Sequence, residues 1–321
     1  HVFELISYMK KKGYEVVLMG AKEGWLKQKA DELGVRVVCN QYFVTWYNPI
    51  HTVLGIWAVQ RLVKEFQPDI IHCHSSVASA LTRLAVRKNV PVIYTAHGWG
   101  FNIGVSYIQK MCSIAVETYL AAYTKKIICV ADFVKDLGLQ YRVAPEEKMI
   151  VIKNGMSVNK ELDTTVRLGT PLHILFVGRL VEPKDPMVLL QAIAQMSDAR
   201  NDVIVRIIGD GPKKKECEAF VQKHNLGQYV YMLGEKQVDE VRTYMRESDV
   251  FVLTTKWEAL PFVILEAMSL GVPVIASDVG GISEVIDDTN GWILEKNSEV
   301  DNLQRIIEHI VSHRSSLSQK K

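Results

Sequence analysis

Val250-Phe251-Val252-Leu253-Thr254-Thr255-Lys256-Trp257-Glu258-Ala259-Leu260-Pro261-Phe262-Val263-Ile264-Leu265-Glu266 passes from an apolar β-type run, through a polar loop, into a helix-forming stretch. Gly271 and Pro273 stop that helix before a second apolar run, Val274-Ile275-Ala276. The segment is therefore predicted as strand, loop, helix and strand, with Pro261 at the first helical position. Glu258 and Glu266 stand eight positions apart across the helix start, so one can face a pocket mouth while the other lies two turns down the same side. Two glutamates at this spacing are more often solvated surface charges, and the segment alone leaves both readings open.

Outward from this unit the same alternation recurs. Val16-Val17-Leu18-Met19, Val35-Arg36-Val37-Val38, Ile70-Ile71-His72-Cys73, Val92-Ile93-Tyr94-Thr95, Ile127-Ile128-Cys129-Val130 and Ile150-Val151-Ile152 form a first series, separated by amphipathic stretches. A polar segment, Asn159 to Pro171, interrupts it. The second series is His173 to Val177, Val203 to Ile208, Val230 to Leu233, Val250 to Leu253, Val274 to Ala276 and Trp292 to Leu294. Strands alternating with helices indicate parallel β/α units. The expected fold class is α/β, with two Rossmann-like parallel-sheet domains at 1–160 and 171–321, a linker at 161–170, and a C-terminal helix free to pack back on the first domain.

Bulk properties agree with two soluble cores. The chain has 321 residues, 48% apolar and 23% charged. Five cysteines, Cys39, Cys73, Cys112, Cys129 and Cys217, include no Cys-x-x-Cys pair, which argues against a structural zinc site and a disulfide framework and fits a reducing cytoplasm. No run of about 18 apolar residues occurs, and the start lacks the blocks of a signal peptide. The net charge of +2 divides unevenly: residues 1–160 carry 20 Lys and Arg against 12 Asp and Glu, and residues 161–321 carry 18 against 24. The basic half suits an anionic partner such as a membrane surface, although solvated surface explains it equally well. Neither half shows the dense cationic cluster with interleaved aromatics that nucleic acid would favour.

Open parallel sheets bind ligands outside the carboxyl ends of their strands. There the second series carries Gly178-Arg179-Leu180-Val181-Glu182-Pro183-Lys184, Gly209-Asp210-Gly211-Pro212 and the loop Thr254 to Glu258. Glycines admit close backbone approach, and Arg179 with Lys184 can clasp a diphosphate from two sides. The Gly-Asp-Gly-Pro string also makes a plain turn, and the two cations also make a solvated loop pair. No Gly-x-Gly-x-x-Gly follows an early strand, which argues against a dinucleotide-dependent dehydrogenase.

In this order and spacing, Gly178-Arg179-Leu180 with Lys184, Gly209-Asp210-Gly211-Pro212, Glu258 to Glu266, Gly271-Val272-Pro273-Val274-Ile275-Ala276 and Gly280-Gly281 resemble the retaining family 4 glycosyltransferases of GT-B fold. Pro68-Asp69-Ile70-Ile71-His72-Cys73-His74, Thr95-Ala96-His97-Gly98 and Val151-Ile152-Lys153-Asn154-Gly155 fall where that family carries its corresponding first-domain segments. The resemblance covers nearly the whole chain and is best in the second half. It implies two domains facing across a cleft, a nucleotide-sugar donor on the second, an acceptor on the first, and transfer of a hexose or N-acetylhexosamine with anomeric retention. By family frequency the donor is a UDP-sugar, and the acceptor a saccharide or lipid-linked sugar of surface polysaccharide synthesis.

Carried over position by position, the resemblance implies catalytic roles for Arg179, Lys184, Glu258 and His97. Arg179 and Lys184 would hold the diphosphate, Glu258 the sugar ring hydroxyls and Glu266 the ribose hydroxyls. Gly178, Gly209 and Gly211, and the backbone of Leu260, Pro261, Phe262 and Val263 at a helix N-terminus, would lie along the donor. His97 would face the donor sugar from the first domain. No Asp-x-Asp triplet occurs, so the two cations would stand in for a divalent ion, and neither metal nor other cofactor is expected. His72 and His74 could mimic a metal pair, but no further ligand set is apparent and a structural role at the strand end is preferred.

The sequence departs from the family pattern in places. It opens at His1 inside a predicted helix, His1 to Lys12, without the family's first strand and Gly-rich loop, so an N-terminally truncated domain is expected. Asp185 stands where glycine is frequent, and Ala259 and Pro261 replace glycines. Trp46, Tyr47, Trp57, Trp99 and Phe101 lie on the expected acceptor side. With the basic half they suggest a cytoplasmic enzyme touching the inner face of the plasma membrane. Core packing is preferred for Trp57, and a mobile acceptor-side loop for Trp99-Gly100-Phe101. Competing readings are a non-catalytic nucleotide-sugar-binding remnant and a GT-B-fold nucleotide-sugar epimerase.

Overall fold

The computed structural model describes residues 1–21, 23–43, 48–101, 104–156, 171–318 and 320, arranged as two compact units, His1–Asn154 and Gly155–Lys321. Trp46, Tyr47 and the expected linker 161–170 lie outside the described residues.

The first unit runs α1 (Val2–Lys11), β1 (Val17–Gly20), α2 (Trp25–Glu32), β2 (Arg36–Cys39), α3 (Pro49–Phe66), β3 (Ile71–His74), α4 (Ser76–Val86), β4 (Val92–Ala96), α5 (Tyr107–Ala121), β5 (Lys126–Cys129), α6 (Asp132–Gln140) and β6 (Met149–Val151). Its strands form two parallel sheets: β1 pairs with β2, and β3, β4, β5 and β6 follow one another in a four-stranded sheet. Helix α3 begins where the Asn48 carboxamide accepts hydrogen bonds from Ile50 N at 3.0 Å and His51 N at 3.3 Å, with Pro49 at the first turn. Helix α5 opens on a reciprocal Ser106–Gln109 capping box.

The position of Trp57 differs from expectation. Helix α3 buries Gly55 and Val59, and a Cβ on Gly55 would lie 2.9 Å from Leu81 Cδ1 of α4, so the two helices meet closely there. Trp57 is two residues from each, about 200° around the helix. It is consequently 59% exposed, with the Arg61 guanidinium 5.9 Å from its ring. The interior of this unit instead holds a cation. Arg83 of α4 is fully buried, its Nη2 is 2.9 Å from Glu117 Oε2 of α5, and its guanidinium carbon is 4.5 Å from the Tyr94 ring centre.

The second unit runs β7 (Leu172–Val177), α7 (Pro186–Gln195), β8 (Val203–Ile208), α8 (Lys214–Lys223), β9 (Val230–Gly234), α9 (Val238–Arg246), β10 (Val250–Leu253), α10 (Phe262–Ser269), β11 (Val274–Ser277), β12 (Gly291–Leu294), α11 (Glu299–Ser312) and α12 (Ser315–Ser318). The six strands are all parallel, in the order β12-β11-β10-β7-β8-β9. Chain order reverses between β7 and β10, and the carboxyl ends of those strands therefore define a topological switch point. Every residue of β10 and β11 is buried, which explains their unbroken apolar runs in a sheet flanked by helices. Leu303, Ile307 and Ile310 give α11 one buried face, and Leu317 of α12 joins the same core. Pro261, predicted at the first helical position, is the N-cap of α10 with extended backbone at φ −75° and ψ 129°, so the helix begins one residue later, at Phe262. No helix among the described residues is long and apolar enough to cross a membrane.

The buried pair in the first unit provides a stability test. Glu117→Ala leaves the Arg83 charge in the core without its carboxylate, and breaking such a pair costs about 3–5 kcal/mol. A urea titration should show a clearly lower unfolding midpoint; a midpoint equal to the parent's would mean that the Tyr94 ring alone compensates the charge.

Candidate functional site

Two loops at the β7/β10 switch point are stitched together by main-chain and hydroxyl hydrogen bonds. Asp185 N donates to Thr254 O at 3.0 Å, Lys256 N donates to Pro183 O at 2.9 Å, and Lys184 pairs with Thr255 as an antiparallel bridge. The buried Thr254 hydroxyl donates to Asp185 O at 2.6 Å, while Ser277 Oγ accepts from Thr255 N at 3.0 Å. This stitching carries the Lys184 ammonium to Glu258, with which it forms an ion pair; each side chain is 16% exposed.

Glycines serve the same assembly. A Cβ on Gly209, whose φ is 142°, would lie 1.9 Å from Gly178 O, and one on Gly211, whose φ is 151°, would lie 2.4 Å from Leu180 O. The Gly-Asp-Gly-Pro loop is thus pressed against the backbone of the Gly178–Leu180 loop. The Lys184 aliphatic stem crosses Gly178, where an added Cβ would meet Lys184 Cε at 3.5 Å. Gly280, at φ 59°, would put a Cβ 1.6 Å from Glu258 O, so only glycine lets the β11 loop support the Glu258 backbone. Gly280 belongs to the Gly280-Gly281 motif of the sequence, and the fold gives it this task.

Around the Lys184–Glu258 pair the fold gathers further charges not singled out from the sequence. Lys213 Nζ lies 2.7 Å from Glu182 Oε1 and 4.0 Å from Asp185 Oδ1, and Lys256 Nζ lies 3.1 Å from Glu182 Oε1 and 3.5 Å from Asp185 Oδ2. Hydrogen bonds from Lys213 and then Lys256 hold the Glu182 carboxyl below its ordinary range. Both lysines follow strand ends, the signal that pointed to Lys184. Arg179 is exposed; its carbonyl accepts from Val181 N at 2.9 Å, and its side chain enters no ion pair among the described residues. Glu266 sits on α10, half-buried; burial pushes its carboxyl above the usual range, and Arg242 partly offsets the shift. Leu260 and Pro261 pack inward, while Phe262 and Val263 open α10, whose N-terminus has no side-chain cap.

In the first unit His97 follows β4, with Nε2 3.0 Å from His74 Nδ1 at the end of β3. His72 Nε2 is 2.7 Å from Thr95 Oγ1, and its ring lies 4.4 Å from that of His74. His1 brings a third ring, 5.4 Å from His74 and 5.1 Å from His97. For His72 and His74, where a structural role at the strand end is preferred over a metal pair, His72 bonds to Thr95 while His74 meets two histidines remote in sequence. Burial lowers the basicity of His72 and His97, and burial with the neighbouring charges of His72 and His97 takes His74 down to about 3.

Trp99 and Phe101, expected in a mobile acceptor-side loop, are core residues, each 2% exposed. The rings stack at 5.6 Å, and Trp99 Nε1 donates to Val134 O of α6 at 2.8 Å. A Cβ on Gly138 would come within 2.9 Å of Trp99 Cζ2, so α6 is notched to receive the indole. The buried N–H is satisfied, and burial of two large rings outweighs exposure of a short glycine-flanked loop.

Comparison with known proteins identifies the family and the fold. A family model described as Glycosyltransferase Family 4 matches residues 1–160, and one described as Glycosyl transferases group 1 matches residues 159–320. An uncharacterized glycosyltransferase, MJ1178 of Methanocaldococcus jannaschii, is 34% identical over 245 residues, which cover 75% of this chain and 65% of that relative. The UDP-Gal:alpha-D-GlcNAc-diphosphoundecaprenol alpha-1,3-galactosyltransferase of Escherichia coli is 28% identical over 264 residues, covering 77% of this chain and 68% of its own. The crystal structure of Anabaena Alr3699/HepE, in complex with UDP and glucose, superposes with a TM-score of 0.81 at 20% identity over 98% of this chain and 88% of that one. The chain belongs to the glycosyl transferases group 1, with a Family 4 first half and the two Rossmann-like units of the GT-B fold.

Proposed function

We propose that this protein transfers a hexose or N-acetylhexosamine from a nucleoside-diphosphate sugar, UDP-linked, to a saccharide or lipid-linked acceptor of surface polysaccharide, with retention at the anomeric carbon. The observation that carries the reading is the Lys184–Glu258 pair held at the switch point, with the exposed Arg179 on the Gly178–Leu180 loop that the Lys184 stem crosses. The Escherichia coli relative whose name includes a UDP-galactose donor and a diphosphoundecaprenol-linked acceptor supports the donor and acceptor class.

Departure of a nucleoside diphosphate builds negative charge on phosphate oxygens while the sugar becomes cation-like. Arg179 offers a planar fork to those oxygens, and Lys184 a point charge. Before donor binds, Glu258 holds the Lys184 ammonium in place; on binding, the diphosphate shares that ammonium and Glu258 accepts hydrogen bonds from sugar hydroxyls. Glu266 accepts from the ribose hydroxyls. The α10 N-terminus adds positive potential to the phosphates without a charged side chain. In this scheme the diphosphate requires no divalent ion. The acceptor proton leaves on a donor phosphate oxygen.

A peripheral membrane contact is part of the proposal. Helices α3 and α5 both pack on α4 and turn apolar residues outward: Ile50, Val53 and Trp57 on α3, and Tyr107, Ile108 and Met111 on α5. Arg61, Lys64 and Lys110 lie among them, in the half of the chain with cationic excess. An apolar stripe beside cations suits an anionic lipid surface carrying a lipid-linked acceptor.

Removal of one preorganised donor to a growing charge typically costs about 10²–10³ in rate. Arg179→Ala and Lys184→Ala are expected to lower turnover of UDP-sugars in that range while thermal melting stays near the parent's. Turnover within a few-fold of the parent in both variants would sink the assignment, and UDP binding without any glycoside product would make the chain a binding protein instead. For Glu266 the sign follows from its raised pKa: the ionised acceptor form is lost at a higher pH than for an ordinary glutamate. UDP affinity measured calorimetrically should fall on mild acidification in the parent and stay flat in Glu266→Gln.

A further inference from the structure

Three imidazoles converge at the carboxyl ends of β3 and β4, wholly within the first unit. His1, His74 and His97 each present a ring nitrogen, and these nitrogens all lie within 4.8 Å of one another. We propose that the three form a binding site for a divalent transition-metal ion of the zinc class, held by three nitrogens with water at a fourth position. The site does not rest on the glycosyl-transfer reading, whose diphosphate grip belongs to the second unit.

The geometry is close to that of a loaded site. Zinc takes imidazole nitrogens at about 2.0–2.1 Å, which sets two ligands of a tetrahedral ion about 3.3 Å apart. His74 Nδ1 and His97 Nε2 already stand 3.0 Å apart. At present one of those nitrogens carries the proton that bridges them. A metal ion replaces that bridge when each ring keeps its proton on its outer nitrogen, a tautomer change with no net proton release. Neutral imidazole is the ligating form. His1, the exposed residue preceding α1, already brings its ring nitrogen within 4.8 Å of the other two. Its imidazole is the donor required.

His72 acts as the support. Its ring lies 4.4 Å from that of His74 at an interplanar angle of 33°, and its Nε2 is anchored 2.7 Å from Thr95 Oγ1. The Thr95 contact anchors His72, and the His72 ring packs against one side of the His74 ring.

The test titrates Zn²⁺ alone, by calorimetry under a non-thiol reductant, into the chain carrying His309→Ala. That background removes the stacked His309–His313 pair on α11 as a competing site. One equivalent is expected to bind, and at least tenfold more weakly in His1→Ala, His74→Asn and His97→Gln. Co²⁺ should give the intense visible absorption of tetrahedral coordination in the background chain and lose it in each variant. His1→Ala alters an exposed side chain outside any strand, so it reports even if a strand-end variant folds poorly. Absence of binding to the background chain, or affinity unchanged in His1→Ala and His97→Gln, would overturn the site.

Discussion

The stitching of residues 183–185 to residues 254–256 is the constraint on which the second unit's chemistry depends. It exists because β7 and β10 are neighbours in the sheet although more than 70 residues separate them in the chain. Backbone groups leaving the two strand ends find each other there instead of water, and Thr254, Thr255 and Ser277 satisfy the buried remainder. Side chains on the stitched loops then have little choice of position. Lys184 meets Glu258, and the glycines of neighbouring loops fill the space in which any Cβ would collide with backbone.

This arrangement collects charges at modest electrostatic cost. Lys184, Lys213 and Lys256 are balanced by Glu182, Asp185 and Glu258, so the ligand-free site is not a bare concentration of cations. The pairing preorganises the ammonium groups, and that ordering is what an incoming polyanion would otherwise have to supply from its own binding energy. Partial exposure of the outer pairs keeps their net stabilisation small, so the network is better understood as positioning than as glue.

The first unit solves a different problem. Its four-stranded sheet packs α4 and α5 through a buried Arg83–Glu117 pair, and it receives Trp99 and Phe101 against a notch at Gly138. These interior contacts lie beside β4, whose end and that of β3 carry His97 and His74. Their clustering is a product of parallel register, because His74 and Thr95 are direct neighbours across β3 and β4 and His97 lies two residues beyond.

Parallel β/α alternation, the division into two halves, the strand positions, and the candidate cations after β7 and carboxylates after β10 were all legible in the sequence. Hydrophobic period and glycine and proline punctuation are local signals that survive without coordinates. The pairing of Lys184 with Glu258 was not legible, since each was assigned a separate task and only strand order brings them together. Lys213 and Lys256 were passed over for the same reason. Trp57 and Trp99 exchanged places relative to expectation: a helical tryptophan faces outward because Gly55 and Val59 set the packed face, and a loop tryptophan is buried because α6 offers a notch and a carbonyl. What the sequence by itself determined was therefore which segments fold and which types of group end each strand. Which of those groups touch, and which side of an element is inside, was decided only by tertiary structure, because contact between residues far apart in the chain depends on sheet order and on where backbones approach closely.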